Sequence, residues 1–196
     1  MKTALKIILA SSSPRRKKLL EQLGIKNFKV VKHKIDEKLI SNSMTTSKIP
    51  THLAYLKAKS VRESKKHKES LIISADTIVC RCGRIFNKTD DVKKIRNYLK
   101  ELSGRKHNVY GGMCVISPSG EIIKRLVKTE VYFKKISENE LNNSKLLNEG
   151  KGKAGGYAIQ GYGCRFVRKI RGSYTNVVGL SIVELNEILE TFVFRN

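Results

Sequence analysis

The chain has no tryptophan, only 7% aromatic residues and no long apolar run. Each shortage removes a class of function. Without clustered aromatics there is no platform on which successive bases stack, so a nucleic-acid groove is disfavoured. Without an apolar run of about 20 residues no membrane-spanning helix is expected. The short apolar start runs at once into a charged segment, which is not the pattern of a secretory leader. G-x-S-x-G, the P-loop and G-x-G-x-x-G are missing, which disfavours a serine nucleophile elbow and a Rossmann site. His33, His52, His67 and His107 show no metal-ligand spacing. Cysteines are few, at 80, 82, 114 and 164, and lack the paired C-x2-C spacing of a zinc site. Cys80 and Cys82 fall in a strand-like stretch, which would point both to one face. Buried, reduced thiols in a cytoplasmic protein are the expectation. Acidic residues are also scarce, 17 against 40 basic, for a net charge of +23. Such a field draws anions in general. The lysines are scattered along the chain, so nucleic acid is not expected as a specific ligand.

The most informative stretch is Leu9-Ala10-Ser11-Ser12-Ser13-Pro14-Arg15-Arg16-Lys17-Lys18-Leu19-Leu20. Residues 7–10 read as a buried strand. Ser13 is a natural N-cap, and Pro14 suits the first helical position because it has no N–H to leave unpaired. A helix follows, with Leu19, Leu20 and Leu23 on one face. Two arginines in a first turn are unfavourable against the positive end of the helix dipole. Their presence points to an anion there, best a phosphate.

Beyond it, strands are predicted at 28–31, 71–75, 78–82, 107–116, 122–133 and 165–170. Helices are predicted at 50–67, 91–102, 137–147 and 181–194, and loops at 33–48 and 150–163. Pro118-Ser119-Gly120 marks a hairpin, and Ser137 with Glu140 has capping-box spacing. A long hairpin inside a βα alternation predicts an α/β fold with a mixed sheet. The length of 196 residues suits one domain or two closely joined lobes.

Asp76 is expected at the carboxyl end of a buried strand, where open α/β sheets place ligands. Thr77 adds a hydroxyl beside it. Asp36 and Glu37, in the long loop, could join Asp76 in holding a hard cation through oxygen. Lys57 and Lys88 are not distinguishable by composition, although Lys88 stands just before a helix start. In Gly155-Gly156-Tyr157-Ala158-Ile159-Gln160-Gly161-Tyr162-Gly163, glycines flank a single amide side chain, and an amide can read a base edge as donor and acceptor.

Four blocks, in order, resemble the Maf family of nucleotide pyrophosphatases nearly end to end. They are Ile8 through Arg16; Ser74-Ala75-Asp76-Thr77-Ile78-Val79; Leu102-Ser103-Gly104-Arg105-Lys106-His107-Asn108-Val109-Tyr110; and Tyr157-Ala158-Ile159-Gln160-Gly161 with Ser173-Tyr174-Thr175-Asn176-Val177-Val178-Gly179-Leu180. The resemblance implies one Maf-like domain over 1–196, an elongated, two-lobed mixed-sheet fold with a central cleft (inosine triphosphatase-like), and a homodimer. It implies hydrolysis of a nucleoside triphosphate to monophosphate and pyrophosphate with a divalent cation, Mg2+ or Mn2+. Nucleotide-pool sanitation and restraint of cell division are linked to the family.

By the same resemblance, Ser11, Arg15 and Arg16 bind phosphate, as do Lys57 and Lys88. Asp76 is general base and metal contact, and Glu37 is a second metal carboxylate. Arg15, Thr77 and Gln160 match the dTTP/UTP-cleaving subgroup; Trp, Gln and Glu would mark the one acting on 7-methyl-GTP. Thr89 replaces a usual Pro after Lys88, which predicts a looser Lys88 loop. Gly111 stands for a common Thr and Ser181 for a usual Pro. The rival class is a basic protein that binds nucleic acid without catalysis.

Overall fold

The computed structural model describes residues 5–35 and 44–193. Asp36 and Glu37 lie outside the described residues. Strand β1 (Ile7–Leu9) leads through a turn into α1 (Pro14–Gln22). Ser13 caps α1 by accepting from Arg16 N, with Pro14 at the helix start, as read from the sequence. Then come β2 (Phe28–Val30), α2 (Ile49–Arg62), β3 (Leu71–Arg81) and β4 (Arg84–Ile85). Asp91 caps α3 (Val92–Leu102), accepting from Lys93 N and Lys94 N. β5 (Lys106–Ile116) and β6 (Ile122–Phe133) are joined by a turn closed from Ser117 N to Glu121 O and from Gly120 N to Ser117 O. The chain ends with α4 (Glu138–Leu141), α5 (Ser144–Gly150), β7 (Val167–Arg171), α6 (Tyr174–Val178) and α7 (Ile182–Val193).

The strand order is β2-β1-β3-β5-β6-β7, with β4 paired to β3. β1 is parallel to β2 and β3, whereas β4 and β7 are antiparallel to β3 and β6. This is the expected mixed α/β sheet. No helix among the described residues is long and apolar enough to cross a membrane.

Several expectations need correction, the helix predicted over 50–67 among them, which ends at Arg62. Asp76 does not end a strand. It lies inside β3, because Thr77, Ile78 and Val79 favour extended backbone and the chain first turns at Cys82-Gly83. Both of those residues have positive φ, 47° and 77°, the conformation of a two-residue hairpin turn. Cys82 is therefore an exposed turn residue while Cys80 is buried in the strand, so the two do not share a face; Cys164 is exposed as well. The single helix predicted over 137–147 is two, α4 and α5. Ser137 and Glu140 do form the capping box, but the Asn143 side chain accepts from Leu146 N and starts a new helix.

The chain forms two compact units. The first comprises Met1–Asp76, Gly111–Val127 and Gly179–Asn196; the second, Thr77–Tyr110 and Lys128–Val178. In the first, Ile8, Ala10, Ala54, Ala58, Val61, Ile72, Cys114 and Ile116 form an apolar cluster. The small side chains Ala54 and Ala58 let α2 lie close to the sheet. In the second, α3 packs on α5 and on the turn at Ala154–Gly156. Phe86 meets Tyr98 edge-on, and Phe133 meets His107, Tyr157 and Phe166 in the same way.

Candidate active site

The first unit holds two of the expected arrangements. One is the turn before α1. Ser11 is buried, and its Oγ accepts from Ser13 N at 3.3 Å and from Arg16 Nη1 at 3.2 Å. Arg16 is also buried, and its Nε donates to Gly179 O at 2.9 Å. Two donors of this guanidinium thus fasten the turn to the segment ahead of α7. Gly179 adopts φ 142°, a conformation that favours glycine. Arg15, the neighbour, is only half-buried, and burial lowers the pKa of its guanidinium from the ordinary value. Arg16 thus helps to hold the fold.

The other arrangement is a buried ion pair. Lys57 Nζ donates to Asp76 Oδ1 at 2.6 Å, with 1% and 3% of the two side chains exposed. Periodicity sets the pair up. Ala54 and Lys57 are three apart on α2, and Ser74 and Asp76 two apart on β3, so each couple shares a face. Ser74 Oγ donates to Ala54 O at 2.6 Å, with Cys114 O as a second acceptor at 3.2 Å. That bond fixes helix against strand one turn before Lys57 meets Asp76. Gly112 brings α2 still closer, since a Cβ there would lie 2.2 Å from Pro50 C and Thr51 N.

Thr77 opens the second unit, half-buried in β3. Lys88 and Gln160 are both exposed in that unit. The segment carrying Lys88 is tied down. Phe86 O accepts from Gly155 N at 2.9 Å and Thr89 O from Gly152 N at 3.1 Å. Thr89 Oγ1 accepts from Asp91 N at 3.2 Å, a bond that a proline side chain could not make. Ser181, the other replaced proline, bonds its Oγ to Glu184 Oε2 at the start of α7.

Below the glycine loop, Tyr157 Oη lies 2.8 Å from His107 Nε2. His107 Nδ1 is buried without a hydrogen-bond partner, and burial pushes the imidazole pKa down to about 3. Gly112 has no signal in the sequence, and although Ser74, His107 and Tyr157 fall within the family blocks, their roles are not legible there because they depend on distant partners.

Among the described residues no group of three or more His, Cys, Asp or Glu is arranged to hold a metal. Glu37, the expected second carboxylate, lies outside the described residues. Mg2+ keeps several waters and binds through one or two carboxylates together with substrate phosphates. The described part of the chain thus offers one carboxylate, Asp76, which would suit a cation arriving with a triphosphate better than a cation held by protein ligands alone.

A family model described as Maf-like protein matches residues 6–192. A dTTP/UTP pyrophosphatase of Paramagnetospirillum magneticum is 40% identical over 96% of this chain and 97% of its own. Those of a Chelativorans species and of Caldicellulosiruptor saccharolyticus are 41% and 42% identical, over 100% and 94% of this chain and 95% and 94% of theirs. Among solved structures, a HAM1 protein from Coxiella burnetii aligns at a TM-score of 0.44 and 16% identity over 66% of this chain and 73% of that one, too slight a likeness to argue from. On the family match and these end-to-end identities, the chain belongs to the Maf-like protein family.

Proposed function

We propose that this protein hydrolyses dTTP and UTP between the α and β phosphates, releasing nucleoside monophosphate and pyrophosphate. One structural observation carries the reaction: a carboxylate, Asp76, held inside the protein by Lys57 in a chain alike from end to end to proteins named for this activity.

A triphosphate carries about four negative charges, and its hydrolysis is governed by electrostatics and positioning. Arg15, with the N–H groups at the start of α1, meets that charge, and Lys57 and Lys88 add to it. Arg16 and Ser11 keep the turn in shape. Asp76 takes the proton of the attacking water. Asp76, with Glu37 as the second carboxylate, would hold a divalent cation, Mg2+ or Mn2+, which would make a bound water more acidic. Gln160 bonds the base edge through its amide, and Thr77 assists in selecting a pyrimidine.

A homodimer in the cytoplasm belongs to the same proposal. The four free cysteines of the chain suit a reducing compartment. The test is a panel of nucleoside triphosphates with Mg2+ or Mn2+, read by pyrophosphate release. Cleavage of dTTP and UTP supports the proposal. Cleavage of 7-methyl-GTP alone overturns the pyrimidine assignment, and no cleavage overturns the activity.

A further inference from the structure

Gln160 sits between two fastenings in the second unit. Three residues earlier, Tyr157 is anchored on His107 inside the aromatic cluster with Phe133. On the other side, Glu149 of α5 accepts from Tyr162 N at 2.9 Å through Oε1 and from Gly163 N at 3.2 Å through Oε2. A carboxylate that accepts two successive main-chain N–H groups makes charge-assisted bonds, stronger than neutral ones. Gly161 N closes back on Ala158 O at 3.2 Å, and Cys164 N on Gly161 O at 3.0 Å. The chain around the amide is thus a short arch, with Gln160 exposed on it.

Gly161 shows how closely the carboxylate is seated. A Cβ at this position would lie 1.7 Å from Glu149 Oε1. The backbone at Gly161, φ −130° and ψ −143°, is not left-handed. The glycine is therefore required by contact with Glu149. An alanine would push away the end of a flexible side chain and so break both of its bonds to the arch.

We infer that Glu149 is a positioning residue for base recognition, its carboxylate fixing the arch that presents Gln160 to the pyrimidine. The inference rests on the proposed reading of Gln160 as the residue that meets the base. Glu149 touches neither phosphate nor water in this scheme, so its loss weakens binding and selectivity more than the chemical step.

The experiment compares the unmodified protein with Glu149→Ala, Glu149→Gln, Gly161→Ala and the Glu149→Ala/Gly161→Ala pair. KM and kcat are measured for dTTP, UTP and GTP, with thermal midpoints alongside. Glu149→Ala raises KM for dTTP and UTP about tenfold and lowers kcat by less than about threefold, a loss of binding rather than of chemistry. Preference over GTP shrinks in step. Gly161→Ala does the same, and the pair is no worse than either single change, because both act through one contact. Glu149→Gln, which keeps one acceptor oxygen, falls between. Unchanged KM and selectivity in Glu149→Ala, or effects that multiply in the pair, overturn the inference while leaving the activity in place. Should Glu149→Ala fail to fold, Gly161→Ala and Glu149→Gln decide the matter by the same readouts. No pyrophosphate release by the unmodified protein removes the functional reading, and the inference with it.

Discussion

Lys57 Nζ and Asp76 Oδ1 lie 2.6 Å apart, both almost wholly shut away from water. The pair links α2 to the middle of β3, and the carboxylate assigned to catalysis is half of it. Removing one partner of a buried pair leaves the other charge uncompensated, which costs more than the pair contributes.

Asp76→Asn therefore has two effects. Turnover falls about a thousandfold or more, the range for loss of a general base. Stability falls as well, because the Lys57 ammonium loses its counter-charge. Lys57→Met destabilises by about 3 kcal/mol or more, and Lys57→Met with Asp76→Leu regains most of that. Urea midpoints of the three variants check the stabilities. A fully stable Lys57→Met would show that the pair does not compensate charge.

Gly112→Ala is expected to be among the most damaging single-methyl changes in the chain. The added Cβ would overlap the backbone of Pro50 and Thr51, which cannot swing aside as a side chain can. A loss of about 3 kcal/mol is expected, and soluble yield with thermal midpoint reads it.

Stability should carry an acid-side signature from His107. An unfolded histidine titrates near 6.5, whereas in the fold burial holds the pKa at about 3. Between these values the unfolded chain binds a proton that the folded chain does not. The stabilising effect is complete above 6.5 and is lost progressively as pH falls toward 3. From pH 7 to pH 5 the loss is roughly 2 kcal/mol. His107→Gln removes that part of the slope, as denaturant titrations at the two pH values will show.

Arg16→Lys is not conservative. A lysine cannot donate at once to Gly179 O and Ser11 Oγ in the geometry of the guanidinium fork. Losing one or both bonds costs about 2 kcal/mol. Turnover drops with it, because the turn that carries Ser11 and Arg15 loses its fastening. A variant with unchanged melting and turnover would contradict the role assigned to Arg16.

Much of this is legible in residue order. Ser13 and Pro14 announce the start of α1, and Ser137 with Glu140 that of α4, because caps act over three or four residues. The family resemblance points to Asp76, Lys57 and Gln160 before any coordinate is known. Sequence misplaces what depends on competition or distance. Asp76 looks like a strand end because Asp disfavours strands, yet the β-branched residues after it continue β3. Asn143 breaks a predicted helix by capping a new one. Gly112 and Glu149 carry no local signal, since their reasons lie in Pro50 and Thr51 for one and in Tyr162 and Gly163 for the other.

Product identity is the most direct test of the proposed reaction. The purified protein is incubated with UTP or dTTP and Mg2+, beside Asp76→Asn. Pyrophosphate and nucleoside monophosphate are expected in equal amounts, and almost none from the variant. Release of inorganic phosphate and nucleoside diphosphate, or undiminished turnover by Asp76→Asn, would contradict it.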